Sequence, residues 1–406
     1  MKICLINNLF FPGHYTENIA YGLAKENDVV VIANKPFSGL GSLRPSIEYH
    51  NGIKVYRFYP LNVYRHYPVK NRPLWIRLIW HLIEIWNPHP YFIIKSILKK
   101  EKPDLIHSFN LIGESTSVYT AIKSTHYPHV HSICDGNLLS PWASLYRNGK
   151  MIEFNFFDRQ FMKVKRFLSK SVDTVIVESP FMRDIHLQNG FFTNVPFYIL
   201  GFPYRLFPTR PKGKTYSPIN ILFVGNIAVE KGIFVLLDAF KQLNRSSAVL
   251  HFAGRGPDLE ELKRRVEGIE NVHLHGFVTD EQLADLYREA NITVVPSLCC
   301  EAGPASAFIE SLPFGTPVVG AIAGGSHQGI IDGVNGRIYE PHDVPALTAI
   351  LQDLIDNKEK LKKMEDETLK MAEEHRPEKY IASLLGVYRS LIDGLSHKKA
   401  SGTDRP

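Results

Sequence analysis

The chain has 406 residues, 44% of them hydrophobic and 22% charged, with a formal net charge of +6. This composition excludes a disordered or fibrous chain, and the length exceeds what one core fills, so two α/β domains are expected. Four cysteines (Cys4, Cys134, Cys299, Cys300) supply neither a disulfide framework nor zinc spacing, and no run reaches the roughly 20 apolar residues of a bilayer span, so a soluble protein in a reducing cytosol is expected.

MKICLINN reads as a first strand rather than a signal peptide, because it lacks a long apolar region and a cleavage site. Helical spacing over Thr16–Lys25 is followed by the strands DVVVIAN and IKVYRFY. The 70s to 90s are helical, and PDLIHSFN, VHSICD and DTVIVES are further strands. Short apolar runs alternating with helices predict a parallel sheet covered on both faces.

Charge is concentrated between Arg57 and Lys102, which holds nine basic residues and two acidic ones, interleaved with Tyr59, Tyr64, Tyr67, Trp75, Trp80, Trp86 and Tyr91. That mixture suits a membrane interface carrying anionic lipid, or a solvated helical excursion whose aromatics pack on the domain. No nucleic-acid motif accompanies the charge, so no nucleic-acid partner is expected.

GFPYRLFPTRPKGKTYS, Gly201–Ser217, reads as a linker, after which the pattern restarts. INILFVG, AVLHFAG, NVHLHGFV, NITVVPS and TPVVGA are strands, separated by helical segments at Gly232–Leu243, Leu259–Val266, Asp280–Ala290 and Ala305–Leu312. This is a second doubly wound unit. A last helical pattern covers Pro377–Leu395.

The chemistry lies in the turns after these strands. In FVGNIAVEKG, Gly225 permits a tight turn and Lys231 brings a cation to a helix start, where free amides already favour a phosphate. In AGRGPDLEEL, Gly254 and Gly256 turn a strand into a helix. The run from Pro296 to Pro341 carries Glu301 and Glu310 around a small-residue loop, then the Gly324-Gly325 turn, which suits carboxylates on sugar hydroxyls with amides close to a diphosphate. Asp332-Gly333 and Asn335-Gly336 read as structural turns. On the N-terminal side, Pro12-Gly13-His14 follows the first strand, while His107, His131, Cys134 and Asp135 stand at strand ends.

In this order and spacing the motifs resemble the retaining family-4 glycosyltransferases, the glycosyl transferases of group 1 with the GT-B fold. The resemblance covers most of the chain and is strongest from Ile219 to Pro341. It implies two Rossmann-like domains facing across a cleft: 1–203 for the acceptor and 204–376 for the nucleotide sugar. A final helix, 377–395, would pack back on the N-terminal domain, ahead of a disordered tail, 396–406. It implies that Lys231 holds the donor diphosphate, with Asn226 where the family has an arginine. Glu301 faces the transferred sugar and Glu310 the nucleotide ribose, with eight residues between them, one more than usual. Gly13, Gly225, Gly254, Phe277, Val278, Gly303, Ala305 and Ser306 complete the donor contacts, and Gln328 stands where glutamate is common.

The same resemblance makes Glu301, Lys231 and Asp135 the catalytic set, with His14, His107 and His131 as candidates on the acceptor side. Cys134 stands where the family has a histidine. The implied reaction is retaining transfer from a nucleotide diphosphate sugar to a glycan, lipid-linked or small-molecule acceptor. The departing diphosphate helps to deprotonate the acceptor, and neither cofactor nor metal ion is expected. A cytoplasmic enzyme, peripheral at the inner membrane face through 57–102, fits this reading. A nucleotide-sugar epimerase on the same fold and a non-catalytic sugar-nucleotide-binding protein are the alternatives.

Overall fold

The computed structural model describes residues 1–11, 14–64, 73–147, 150–203, 214–243 and 247–400. The chain divides into two compact units, the first formed by Met1–Ser144, Glu153–Leu200 and Tyr380–Pro406, the second by Leu145–Ile152 and Gly201–Lys379.

The first half of the chain runs β1 (Lys2–Ile6), α1 (Tyr15–Ala24), β2 (Asp28–Asn34), β3 (Ser46–His50), β4 (Ile53–Phe58), α2 (Leu74–Ile85), α3 (Pro88–Glu101), β5 (Leu105–Ser108), α4 (Ser117–Lys123) and β6 (His129–Ile133). The short hairpin β7 (Tyr146–Arg147) and β8 (Lys150–Met151) follows and belongs to the second unit. Then come α5 (Phe156–Leu168), β9 (Thr174–Val177), α6 (Pro180–Gln188) and β10 (Phe197–Ile199). The sheet has the order β10-β9-β6-β5-β1-β2-β4-β3, parallel except for the antiparallel edge pair β3–β4. Strands built from runs such as VVVIA are buried on both faces, as a helix-covered parallel sheet requires. From β1 the chain winds first toward β4 and then back toward β10, so the strand order reverses between β1 and β5.

The second half runs β11 (Ile219–Val224), α7 (Ile233–Lys241), β12 (Ala248–Ala253), α8 (Leu259–Val266), β13 (Val272–Gly276), α9 (Asp280–Glu289), β14 (Ile292–Val295), α10 (Ser306–Ser311), β15 (Val318–Ala321), β16 (Gly336–Tyr339), α11 (Val344–Asp356), α12 (Lys358–Glu374) and α13 (Pro377–Ala400). Its six parallel strands follow the order β13-β12-β11-β14-β15-β16, with the reversal between β11 and β14. Capping residues fix the helix starts: Thr279 and Gln282 bond reciprocally at the head of α9, and Asn155 and Asp158 do so at α5.

Three sequence expectations change. The edge strand β3 and the hairpin β7–β8 carry no readable apolar run, and the hairpin groups with the second unit although it lies within 1–203. The last helix runs on to Ala400, into the stretch expected to lack structure, while its Leu384 and Tyr388 enter the core of the first unit. The linker residues 204–213, and Arg65, Tyr67, Lys70 and Arg72 of the basic stretch, lie outside the described residues.

Candidate functional site

Ligands of open α/β sheets bind beyond the carboxyl ends of the strands, where the strand order reverses. In the second unit that point is flanked by the loop after β11 and the loop after β14, and Lys231 and Glu301 come from these two loops. The chain leaves β11 through Gly225 (φ 156°), makes a short 3-10 turn over Val229–Lys231, and enters α7 from Gly232 in the left-handed region (φ 71°). A side chain at Gly232 cannot fit, because its Cβ would lie 1.8 Å from the Pro296 carbonyl oxygen. That approach binds the two loops together, and the Leu298 and Cys299 amides donate to the Glu230 carbonyl at 2.9 and 3.2 Å.

The result is a compact polar group. The Lys231 ammonium donates to Glu301 Oε1, which also accepts from Ser297 Oγ at 3.0 Å and Cys299 Sγ at 3.2 Å. Burial opposes charge on Lys231, but Glu301 and Cys299 beside it raise its pKa overall. The Cys299 thiol is pushed up to about 12 by burial and by the Glu301 carboxylate, so it stays protonated. Helix α7 starts directly after this loop with no side-chain cap, and the first amides of a helix have no partner within it. A cation, unpaired helix-start amides and a carboxylate can together take a diphosphate and a hydroxylated ring.

The neighbouring loops continue this edge. Gly254 (φ 146°) lies so close to the first loop that a Cβ would sit 1.8 Å from the Gly225 carbonyl oxygen. Its amide donates to Gly276 at 2.7 Å, so the turns after β11, β12 and β13 are tied in a row. Beyond them Phe277 is exposed, with the Arg255 guanidinium 5.2 Å from its ring centroid, while Val278 is half-buried. Asn226 stands in the first of these turns, between Gly225 and Ile227, whose amide donates to the Arg255 carbonyl.

After β14, Gly303 is buried, Ala305 half-buried and Ser306 exposed at the start of α10. Glu310 on α10 accepts from the Tyr287 hydroxyl at 3.0 Å. Gly324 (φ 60°) and Gly325 pack on Glu301: the Gly325 amide donates to the Glu301 carbonyl at 2.8 Å, and a Cβ on Gly324 would fall 2.7 Å from the same oxygen. The Gln328 Oε1 is buried without a hydrogen-bond partner.

The N-terminal candidates are placed differently. His107 is wholly buried, its Nδ1 2.6 Å from the Tyr388 hydroxyl and its Nε2 2.8 Å from Ser132 Oγ. His131 is bonded to Ser108 Oγ and the Tyr119 hydroxyl. Both are core groups with no face for an acceptor, because the strands carrying them are covered on both sides. Asp135 is also turned inward: its Oδ1 accepts from the Asn137 amide at 2.8 Å, and its Oδ2 is sealed off without a partner. Burial raises its pKa to about 6. It is a half-buried turn residue of the first unit, and its carboxylate is engaged with the backbone of its own turn. Cys134 Sγ meets the Tyr15 hydroxyl at 3.3 Å. His14 caps α1, with Nδ1 2.7 Å from Thr16 Oγ1, and burial lowers its pKa to about 4. Gly13 lies outside the described residues.

What the first unit does offer is a cavity of about 150 Å³ at its own reversal point, lined by Asn8, Asn34, Tyr59, Asn62, Trp80 and Asn110 among others. The Oδ1 atoms of Asn8 and Asn34 are buried there without partners. Their signal was present in the sequence: INN, IAN and SFN each close a strand with asparagine. Among the described residues no group of three or more His, Cys, Asp and Glu is placed to hold a metal ion.

Comparison with known proteins agrees with this geometry. Residues 209–371 match the model of the family described as glycosyl transferases group 1, and residues 12–196 match that of the glycosyl transferase 4-like domain. An uncharacterized 42.6 kDa protein in the cps region of Klebsiella pneumoniae is 26% identical over 80% of this chain and 83% of its own length. Sucrose-phosphate synthase of Thermosynechococcus elongatus superposes with a TM-score of 0.75 at 19% identity, covering 97% of this chain and 99% of that one. HepE of Anabaena, in complex with UDP, gives a TM-score of 0.70 at 18% identity over 96% of this chain and all (100%) of its own.

Proposed function

Because the chain belongs to the group 1 glycosyl transferases and is a glycosyltransferase of the GT-B fold, we propose that it moves a hexose-type sugar from a nucleotide diphosphate sugar, with retention at the anomeric carbon, to a glycan, lipid-linked or small-molecule acceptor. The observation that carries this reading is the Lys231–Glu301 pair at the reversal point of the second sheet. Lys231 and the amides that open α7 neutralise the charge growing on the diphosphate as the glycosidic bond breaks. Glu301 holds hydroxyls of the transferred ring, and Glu310 the ribose. The departing phosphate oxygen takes the acceptor proton on the face from which it leaves, so no acid–base carboxylate pair is required.

In the first unit, the amide-lined cavity at Asn8 and Asn34 supports a hydroxylated, uncharged acceptor end. The Klebsiella relative's place in a cps region supports assigning the product to envelope polysaccharide or glycolipid synthesis. On this reading the enzyme works in the cytoplasm and meets lipid-linked acceptors at an anionic membrane surface.

The test is release of nucleoside diphosphate from UDP- and GDP-hexoses, with and without sugar acceptors, followed by NMR of the product anomer. Acceptor-dependent release with a retained anomer is expected. A measured donor affinity with no release from any hexose donor overturns the transferase reading, and an inverted anomer overturns retention.

A further inference from the structure

Helix α2 carries apolar side chains on its outer face as well as its inner one. Its sequence, LWIRLIWHLIEI, places Glu84 at 3% exposure and Trp80 at 2%, while Trp75, Leu78 and Leu82 are 63, 54 and 67% exposed. The buried side is well held. Glu84 Oε1 accepts from the Gly113 amide at 3.1 Å, the Glu84 carbonyl from the Thr116 amide at 3.2 Å, and Trp80 Nε1 donates to the Tyr64 carbonyl at 3.0 Å. The apolar side is therefore not exposed through a loose fit. A helix on a soluble domain ordinarily has a polar outer face.

Helix α5 buries Met162 and likewise carries apolar side chains outside. Lys165 is fully buried and interacts electrostatically with Glu84, which makes the two helices neighbours, while Phe156, Phe157 and Phe167 are 68, 80 and 69% exposed. Each helix thus turns a charge toward the other and aromatic or aliphatic side chains toward solvent. Scattered exposed apolar residues need no explanation, but two adjacent helices with their charges buried do.

The charge left outside has one sign. Both acidic residues of the 57–102 stretch are inward: Glu84 as described, and Glu101 bonded to Lys2, Lys54 and Tyr56. On α5, Asp158 is consumed in the capping box, whereas Arg159 and Lys163, and Lys170 in the 3-10 turn just after it, are exposed. Lysines of this kind are depleted in protein–protein interfaces but add about 1 kcal/mol each next to an anionic bilayer.

We propose that the outer faces of α2 and α5 form a docking surface for a bilayer of anionic lipid, Trp75, Leu78, Leu82 and the α5 phenylalanines entering the headgroup boundary while the lysines meet the headgroups. The surface lies in the interface plane, since no helix among the described residues is long and apolar enough to cross a membrane. It rests on the proposed function only in the choice of a lipid partner, and its test uses neither donor nor acceptor.

The full chain is sedimented with vesicles of phosphatidylcholine alone and of phosphatidylcholine with phosphatidylglycerol, at low and high salt. Uptake by the anionic vesicles at low salt is expected, at least roughly tenfold weaker on neutral vesicles, with a blue shift of tryptophan emission on binding. The double variant Leu78→Glu, Leu82→Glu keeps its circular dichroism and thermal midpoint but loses uptake, and Lys163→Glu with Lys170→Glu weakens it. No uptake by wild type at low salt overturns the proposal. So does uptake unchanged in the double variant, or a concentration-dependent dimer that the double variant abolishes while vesicles are ignored, which assigns the face to a second copy.

Discussion

The Lys231 ammonium rests on Glu301 Oε1, within the same hydrogen-bond set as Ser297 and Cys299. The cation assigned to the diphosphate and the carboxylate assigned to the sugar therefore hold each other in position. Each side chain keeps about a quarter of its surface exposed, so a ligand can reach both. A diphosphate must compete with Glu301 for Lys231.

This competition sets opposite expectations for two substitutions. Lys231→Met removes a charge-assisted contact worth about 1.5–3 kcal/mol, so nucleoside diphosphate affinity falls roughly 10- to 150-fold by calorimetry. Glu301→Gln releases the lysine and leaves that affinity equal or higher, while turnover of the intact donor falls. Equal loss of nucleoside diphosphate binding in both variants contradicts the assignment of the pair.

Glu310 is positioned by the Tyr287 hydroxyl at 3.0 Å, and that tyrosine is fully buried. Glu310→Ala is expected to weaken binding of UDP or GDP about tenfold, and Tyr287→Phe by only a few-fold, because the phenylalanine keeps the packing and loses one bond. A ranking in the reverse order would show that the carboxylate does not touch the nucleotide.

The cluster of Lys231, Glu301 and Gly324 was readable in the sequence because its residues are fixed by short loops on adjacent parallel strands. Lys231, Glu301 and Gly324 each follow a strand end within a few residues, so motif order alone brings them together. The acceptor-side histidines misled for a related reason. His107 and His131 stand on strands that helices cover on both faces, and a sequence does not say which polar strand residue finds an internal partner. The Ser132, Tyr388, Ser108 and Tyr119 groups that satisfy them come from separate elements, one of them 281 residues away along the chain. The apolar outer faces of α2 and α5 were hidden likewise, since periodicity gives an apolar stripe but not the side of the helix that meets the core.

Two glycines test the loop contacts directly. Gly232→Ala and Gly254→Ala each push a Cβ to 1.8 Å from a carbonyl oxygen, at Pro296 and Gly225 respectively. Each is expected to cost about 2–4 kcal/mol and to lower the thermal midpoint by roughly 5–15 °C, with donor affinity falling as well. Gly268→Ala is the control: φ is +76° but nothing lies within 4 Å, so only the backbone preference of about 1 kcal/mol is lost.

Acid should destabilise the first unit. Burial holds His131 at about 3 and His186 at about 4, and drives His107 and His129 well below their usual range. These rings fold neutral and charge when unfolded, so stability falls as pH drops below about 6.5, by up to about 1.4 kcal/mol per pH unit for each ring. Burial also raises Asp135 to about 6, raises Glu84, and drives Glu114 well above its usual range, and protonating these three favours the folded state as pH falls. With His14, which burial holds at about 4, five rings oppose three carboxyls, so the urea midpoint is expected to decrease between pH 7 and pH 5. A flat or rising midpoint would show that the carboxyl cluster dominates.

The cavity beside Asn8 and Asn34 carries the remaining prediction. Asn8 Nδ2 donates to the Ile112 carbonyl at 2.6 Å, which fixes the amide, and its Oδ1 is buried without a partner on a residue that lines the cavity. Asn34 Oδ1 is likewise unpartnered. Two partnerless acceptors on residues that line one small cavity suit the donating hydroxyls of a neutral sugar, and they repel a phosphate or carboxylate, which brings no proton to give. Asn34→Leu removes one acceptor without creating a buried unpaired group, so the acceptor KM should rise roughly 2- to 12-fold with the donor Kd unchanged. Asn34→Asp places a charge in the same position and should admit neutral sugars while excluding anionic ones more strongly still. Parallel titrations of donor and acceptor on the two variants separate these effects. A change in donor Kd equal to the change in acceptor KM would move the cavity from the acceptor to a structural role.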